Sequence, residues 1–376
     1  MLPYAALTTD VITRYAFDTS YGCVEDPGWK HEWPRAMVES TKICHVNKQF
    51  PWLIPVMRAV PEGVIGVLSP AVLLLIKFQK DLARQITTLM DDTDTEKSKA
   101  SPSERPTIFH ELIRSPDLPP AEKTLRRLVD EGQTMIAAGQ ETTSFLLKTV
   151  TYHVLANPAI HARLRAELRD FNNGDGDGDG GVGGVTGASV AQLEQLPYLR
   201  AVVQEGHRFA HGVAGRMQRI SPDAPLRYGD WVIPAGTPVS MTAMLQHRDP
   251  AKFPDPDRFD PERWLVLPSS SSSSSSTTAA SSRSRRRKEE VAALEKYLVP
   301  FSKGTRSCLG INLATAEIYL TLAAVFGSTE RFEMELHYET TARDAEVVRD
   351  YFIPHGHADS KGCGLCLSER DTASRT

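Results

Sequence analysis

Five residues within ten positions carry most of the chemical promise of this chain: Phe301, Gly304, Arg306, Cys308 and Gly310, in the stretch Phe301-Ser-Lys-Gly304-Thr-Arg306-Ser-Cys308-Leu-Gly310. The apolar run 311–326 directly after it reads as a helix, which puts Cys308 at a helix mouth. Backbone N–H groups in a first helical turn lack partners, and the helix dipole is positive there. Both favour a thiolate over a thiol at Cys308. Gly304 permits a tight turn, and Gly310 lets a flat, bulky group approach the backbone. Arg306 sets a planar, bidentate cation two residues from the sulfur, suited to a carboxylate.

A thiolate, two glycines, an arginine and an aromatic ring at this spacing make a seat for a haem, with sulfur on the iron and Arg306 facing a propionate. The competing reading is a buried cysteine at a helix start, which is common. The pattern F-x-x-G-x-R-x-C-x-G, filled at all five fixed places, resembles the haem-binding loop of the cytochrome P450 family. The resemblance implies haem b (iron protoporphyrin), with Cys308 as axial ligand and Phe301, Gly304, Arg306 and Gly310 around it.

A second constellation lies upstream. Between the helix-start signal Pro119-Pro120 and the stop Asn157-Pro158, the pattern stays helical. That predicts one helix about 55 Å long at ~1.5 Å per residue. Its first half is charged and residues 135–156 are apolar nearly all round, as in a helix through a domain centre. Within that half sits Ala138-Gly139-Gln140-Glu141-Thr142-Thr143, poor helix material where a local opening is expected. Taken alone, it reads equally as a core helix with a threonine bonded to its own turn. It is similar to the family's A-G-x-[DE]-T-[TS] signature. The resemblance implies that Ala138 and Gly139 border the cofactor, that Thr142 hydrogen-bonds dioxygen, and that Glu141 relays protons.

Glu205 and Arg208 share one face of a helix over 192–210 and can pair. E-x-x-R alone is weak evidence, since most such pairs are solvated. In this order it resembles the family's E-x-x-R motif, completed by Arg263 of Pro261-Glu262-Arg263-Trp264. The resemblance makes the trio a folding element. It also places Arg216 against a haem propionate, with Arg219 the second choice.

Composition sets the frame for these motifs. With 376 residues, 41% apolar and 24% charged, the chain is an ordinary globular protein of one large domain or two smaller ones. A net charge of −4 does not suggest a nucleic-acid partner. Five scattered cysteines, an odd number, argue against a disulfide framework and for a reducing compartment. The apolar run 64–76 is too short for a membrane span and contains Pro70. Helices are expected over 5–17, 37–50, 68–90 and 159–171. A β-hairpin is expected over 228–241, turning at Pro234-Ala-Gly236. Three stretches read as flexible loops or insertions: 91–105, 172–188 and 268–290. The Asp/Gly repeat 174–181 mimics an EF-hand opening but has Thr186 at the twelfth place. His355, His357, Cys363 and Cys366 have a spacing that could hold zinc, on the weak evidence of one C-x-x-C. His247 reads as a loop histidine.

The resemblance spans the chain and points to fungal microsomal members. It implies a mainly α fold with small β-sheets, a single P450 domain over 1–376, lacking the N-terminal helices and first strands. It implies a monomeric haem-thiolate monooxygenase that inserts one atom of O2 into an apolar small molecule. Electrons would come from NADPH through a cytochrome reductase. It also implies the endoplasmic reticulum membrane surface, although this chain shows no anchor. The alternatives are a truncated, non-catalytic remnant with impaired haem binding, and a haem-thiolate isomerase or peroxide user.

Overall fold

Apolar positions recur mostly at helical spacing, and helices dominate the result. The computed structural model describes residues 2–29, 32–94, 107–173, 184–266, 277–327 and 332–369. Two compact units make up the chain, 1–145 and 146–376.

The first unit holds α1 (Leu2–Phe17), α2 (Glu32–Lys42), α3 (Cys44–Gln49), α4 (Leu53–Ala59), α5 (Glu62–Leu68), α6 (Pro70–Asp94) and α7 (Ile108–Arg114). It also holds the first two thirds of α8 (Leu125–Leu155). Prolines punctuate the short helices. Pro51 and Pro61 fall between elements, whereas Pro55 and Pro70 sit in first turns, where a missing N–H costs nothing. The core gathers Ile12, Phe17, Phe78, Leu82, Ile86, Phe109, Leu128 and Ile136. The Phe17 and Phe109 rings pack tilted at 34°, with 4.4 Å between centroids.

α8 is shorter than the sequence suggests. Pro119-Pro120 opens a separate 3-10 turn (Pro120–Lys123), and Thr124 is extended with ψ 145°, so α8 starts at Leu125. Its 31 residues span about 46 Å at ~1.5 Å each. The helix is continuous through residues 138–143, where the sequence predicts an opening.

The second unit contains α9 (Pro158–Asn173), two single turns α10 (Gly184–Gly187) and α11 (Val190–Leu193), and α12 (Pro197–Ala210). After the strands β1 (Met217–Arg219), β2 (Leu226–Tyr228), β3 (Trp231–Ile233) and β4 (Val239–Met241) come α13 (Ala243–His247), α14 (Thr277–Tyr297) and α15 (Ile311–Gly327). The chain then adds β5 (Phe332–Leu336), α16 (Ala342–Ala345), β6 (Arg349–Tyr351), β7 (Ile353–His355) and β8 (Leu365–Glu369). The strands form four two-stranded antiparallel sheets, β1–β4, β2–β3, β5–β8 and β6–β7. The fold is thus mainly α with small sheets, as expected.

The hairpin predicted over 228–241 has a different register. β2 and β3 pair Tyr228 with Trp231 around Gly229-Asp230, where Gly229 takes φ 56°. Pro234 to Thr237 instead leads to β4, which pairs with β1. Of the three expected loops, residues 95–105, 174–183 and 268–276 lie outside the described residues, and with them most of the EF-hand-like repeat. Their flanks are ordered as helix: α6 runs to Asp94, α9 to Asn173, and α14 covers 277–290. α14 is charged but helical because Arg, Lys, Glu and Ala favour helix and pair along it, Arg285 with Glu289 and Arg286 with Glu290. Arg287 turns inward and donates to the carbonyls of Leu265, Glu262 and Arg263 at 3.0–3.2 Å.

α12 organises this unit. The Glu167 carboxylate of α9 accepts from the Tyr198 and Leu199 N–H groups at 2.8 Å each, satisfying the exposed donors of the helix start. The helix ends on His211 at φ 60°. α15 packs on α9 through α12, burying Ile318, Leu322, Ala323 and Phe326.

Candidate functional site

In the second unit, residues 299–310 form a tight loop ahead of α15. Ser302 N–H donates to Val299 O at 3.1 Å, Ser307 N–H to Gly304 O at 3.0 Å, and Cys308 N–H to Phe301 O at 2.9 Å. Gly304 takes φ 79° and has open space where a Cβ would point. A Cβ on Gly310 would meet only the Cys308 sulfur, at 4.0 Å. Cys308 is a free, exposed thiol, and α15 opens three residues later. Leu309 beside it is 95% exposed. Among the described residues neither Arg306 nor Arg216 pairs with a protein carboxylate, and both are exposed. The chain ahead of Arg216 is fixed by the β6–β7 turn, since Phe352 O accepts from Ala214 and Gly215 N–H at 3.0 and 3.1 Å. Phe352 holds a strained φ of 76° there. The Arg219 guanidinium donates through Nη1 to Gln218 O in β1.

Behind this loop lies a buried ionic network. Glu205 is 0% exposed and Arg208 1%. Glu205 Oε1 accepts from Arg208 Nη2 (2.8 Å), Arg263 Nε (3.1 Å) and Asp260 N (2.9 Å). Its Oε2 accepts from Arg208 Nε (3.0 Å) and Trp264 Nε1 (2.8 Å). The remaining guanidinium donors reach carbonyls: Arg208 to His247, Pro256 and Arg258, and Arg263 to Pro254 and Arg258. Two cations thus share one carboxylate, and each guanidinium nitrogen reaches either it or a backbone carbonyl, which is what burial demands. The structure brings Glu205, Arg208 and Arg263 together; Trp264 and the Asp260 backbone are further partners that the motif does not announce.

In the first unit, Thr142 is half-buried and its hydroxyl donates to Ala138 O at 2.8 Å, leaving oxygen lone pairs to accept another bond. Ala138, one turn earlier on the same face, is exposed. Gly139 serves packing, because a Cβ there would come within 2.8 Å of Ile12 Cγ1 on α1. Glu141 is 9% exposed, and its carboxylate accepts from the fully buried Gln140 amide at 2.8 Å. Thr8 of α1 donates to the Gln140 carbonyl at 3.1 Å. This foreign hydroxyl on a helical carbonyl is the nearest the helix comes to the expected opening.

The family model described as cytochrome P450 matches residues 4–347. The chain belongs to the cytochrome P450 family. It is 38% identical to a cytochrome P450 monooxygenase of Ascocoryne sarcoides, over 96% of this chain and 65% of that protein. It is 37% identical to a tryptophan 6-hydroxylase of Fusarium equiseti (98% and 65%) and 38% identical to an N-acetyltryptophan 6-hydroxylase of Emericella nidulans (97% and 64%). The chain therefore spans about two thirds of the length of these P450 relatives. Among solved structures, the haem domain of cytochrome P450DA superposes with a TM-score of 0.63 at 19% identity, covering 98% of this chain and 67% of that one.

P450 membership implies haem and dioxygen. The donor set here fits haem: an exposed thiol at a helix mouth, two glycines that leave the loop face open, and two arginines with no protein carboxylate to satisfy. The zinc reading finds no support. His357 pairs with Glu346 at 3.0 Å, the Cys363 thiol is buried and donates to Asp344 O, and Cys366 is exposed in β8. Among the described residues no group of three or more His, Cys, Asp or Glu side chains is placed to hold a metal ion. No described helix is long and apolar enough to cross a membrane.

Four histidines of this P450, His211 and His247 buried and His153 and His207 half-buried, fill no fixed motif position. His153 stacks on Phe259 and meets Phe209 edge-on, both at 4.7 Å. His207 packs edge-on against Phe301 at 4.9 Å. His247, expected in a loop, ends α13 and is 0% exposed, with its ring 5.7 Å from His211. Burial lowers their pKa values to about 4 for His153, His207 and His247 and about 3 for His211, so all four are neutral imidazoles. No sequence motif marks them; only burial does.

Proposed function

We propose that this P450 is a haem-thiolate monooxygenase that places one atom of O2 into a C–H bond of an apolar small molecule, with electrons from NADPH through a reductase. The observation that carries the reading is the exposed Cys308 thiol on a glycine-opened loop, three residues ahead of α15. Two relatives are named as 6-hydroxylases of tryptophan and N-acetyltryptophan, so an aryl C–H bond is the first substrate class to test.

Bound haem would supply the activation of dioxygen and its transfer to carbon. The protein's part rests on its own side chains. Cys308 would hold the haem iron through its sulfur, with Phe301 O accepting its backbone N–H. Arg306 and Arg216 would neutralise the propionates. The Thr142 hydroxyl, already donating to Ala138 O, would accept or pass a proton, and Glu141 would feed it from a carboxylate steadied by Gln140. The Glu205–Arg208–Arg263 network keeps the loop's support rigid and takes no part in the chemistry.

The test is the ferrous–carbon monoxide difference spectrum of the purified, haem-loaded chain. Cys308→Ala should abolish the band typical of thiolate ligation; survival of that band would remove Cys308 as the ligand. Thr142→Ala should retain haem yet waste reducing equivalents, and unchanged coupling would count against its role. Haem stoichiometry near zero in the wild type would favour the non-catalytic remnant.

A further inference from the structure

We propose that His247 is a positioning residue for the Cys308 ligand: its imidazole ties the first residue of the cysteine loop to the buried Glu205–Arg208–Arg263 network. The ligand half of this proposal rests on Cys308 binding iron; the anchoring half does not.

Three contacts converge on residues 299–301, where the chain leaves α14 and enters the loop. His247 Nε2 accepts the Val299 N–H at 2.9 Å. The His207 ring packs against the Phe301 ring. Gly212, just past α12, lies so close to Pro300 that a Cβ would sit 2.7 Å from its carbonyl oxygen. Of the three, only His247 bonds the loop backbone through its side chain. Its own carbonyl accepts from Arg208 Nη1 at 2.9 Å, which joins it to the ionic network. The path continues from Val299 O to Ser302 N–H, and from Phe301 O to Cys308 N–H. By contrast, residues 303–310 are all exposed, so the loop's placement is decided at its start.

The tautomer is forced. Nε2 must present a lone pair to Val299, so the proton sits on Nδ1, and buried Nδ1 has no hydrogen-bond partner. The fold thus leaves one buried imidazole donor unsatisfied while securing this acceptor. A side chain kept for packing alone would not need a polar ring here. Burial and the nearby Arg208 keep the ring neutral down to about pH 4, so the acceptor persists at ordinary pH.

The experiment compares wild type with His247→Leu, which removes the acceptor, and His247→Gln, whose side-chain oxygen can reach the Nε2 position. The first readout is amide exchange at Val299. Loss of one buried hydrogen bond should speed it about tenfold in the leucine variant, with the glutamine variant near wild type. The second is the ferrous–carbon monoxide spectrum at matched haem content. The leucine variant should lose thiolate band intensity and the glutamine variant recover it. Should His247→Leu not fold, His247→Asn, whose amide is too short to reach Val299, takes its place. Unchanged Val299 exchange would overturn the anchor. Faster exchange with an unaltered band would overturn the link to the ligand. A wild type lacking the thiolate band would instead sink the reading of Cys308 and the ligand half with it, while the exchange comparison still decides the anchor.

Discussion

Replacing Glu205 by glutamine changes one atom and removes one charge, and the geometry of the site sets the cost. The carboxylate accepts five hydrogen bonds, three at Oε1 and two at Oε2. An amide keeps one oxygen. If it takes the Oε1 side, the NH2 group faces Arg208 Nε and Trp264 Nε1, both donors; the reverse flip faces three donors. The better flip loses two bonds of a charged acceptor, each worth about 1.5–3 kcal/mol. It also leaves two guanidinium groups, 1% and 9% exposed, without their counter-charge. Breaking a buried pair of this kind costs about 3–5 kcal/mol. The carbonyls bonded to both arginines soften the loss, so the expected destabilisation is about 3–5 kcal/mol. Urea unfolding followed by tryptophan fluorescence would read it, since Trp264 is in the network. A loss below about 1 kcal/mol would refute the claim that the charge, and not the shape, holds this site together. Arg263→Leu in the Glu205→Gln background should cost less than in the wild type, because the counter-charge is already gone.

Gly206→Ala should destabilise by about 1–2 kcal/mol. The new Cβ would lie 2.3 Å from Val150 Cγ2, and an overpacking cost of about 1–3 kcal/mol outweighs the helix propensity gained. Adding Val150→Ala should recover part of the loss in thermal unfolding. Stability against pH should peak near 6.5. The four histidines 153, 207, 211 and 247 have folded pKa values of about 3 to 4 against 6.5 unfolded, so the unfolded chain takes up protons first. Their contribution is complete above 6.5 and is lost as pH falls towards 4, by about 1.4 kcal/mol per pH unit for each proton. Glu317 runs the other way. Burial raises its pKa to about 8 from 4.5, so the stability it contributes declines as pH rises through that window. Denaturant titrations at pH 5, 6.5 and 8 would show this, and Glu317→Gln should flatten the alkaline side while steepening the acid side, where the glutamic acid opposes the histidines.

Motifs that act over a few residues are legible in the chain. The cysteine loop and the E-x-x-R pair are local, and the Arg263 partner is marked by its own P-E-R-W context. The features where structure and pattern part company depend on competition between local signals. Pro119-Pro120 looks like the start of α8, yet it opens its own short turn because Thr124 prefers an extended backbone there. Pro234-Ala-Gly236 looks like the hairpin turn, but Gly229-Asp230 closes the tighter one. The charge of α14 suggests a fully solvated segment, although one of its arginines, Arg287, folds back onto three carbonyls. The role of His247 is hidden altogether, because a histidine's burial depends on residues 39 to 52 positions away.

The five bonds at Glu205 also impose an order on self-assembly. Arg208 is three residues away and can pair while the helix is still nascent, whereas Arg263 and Trp264 arrive from 58 and 59 residues away. Until that distant segment docks, the carboxylate and its first partner cannot leave water without penalty. Premature collapse around the wrong segment is thereby discouraged, and the same anion that secures the finished molecule also acts as a checkpoint on the route to it.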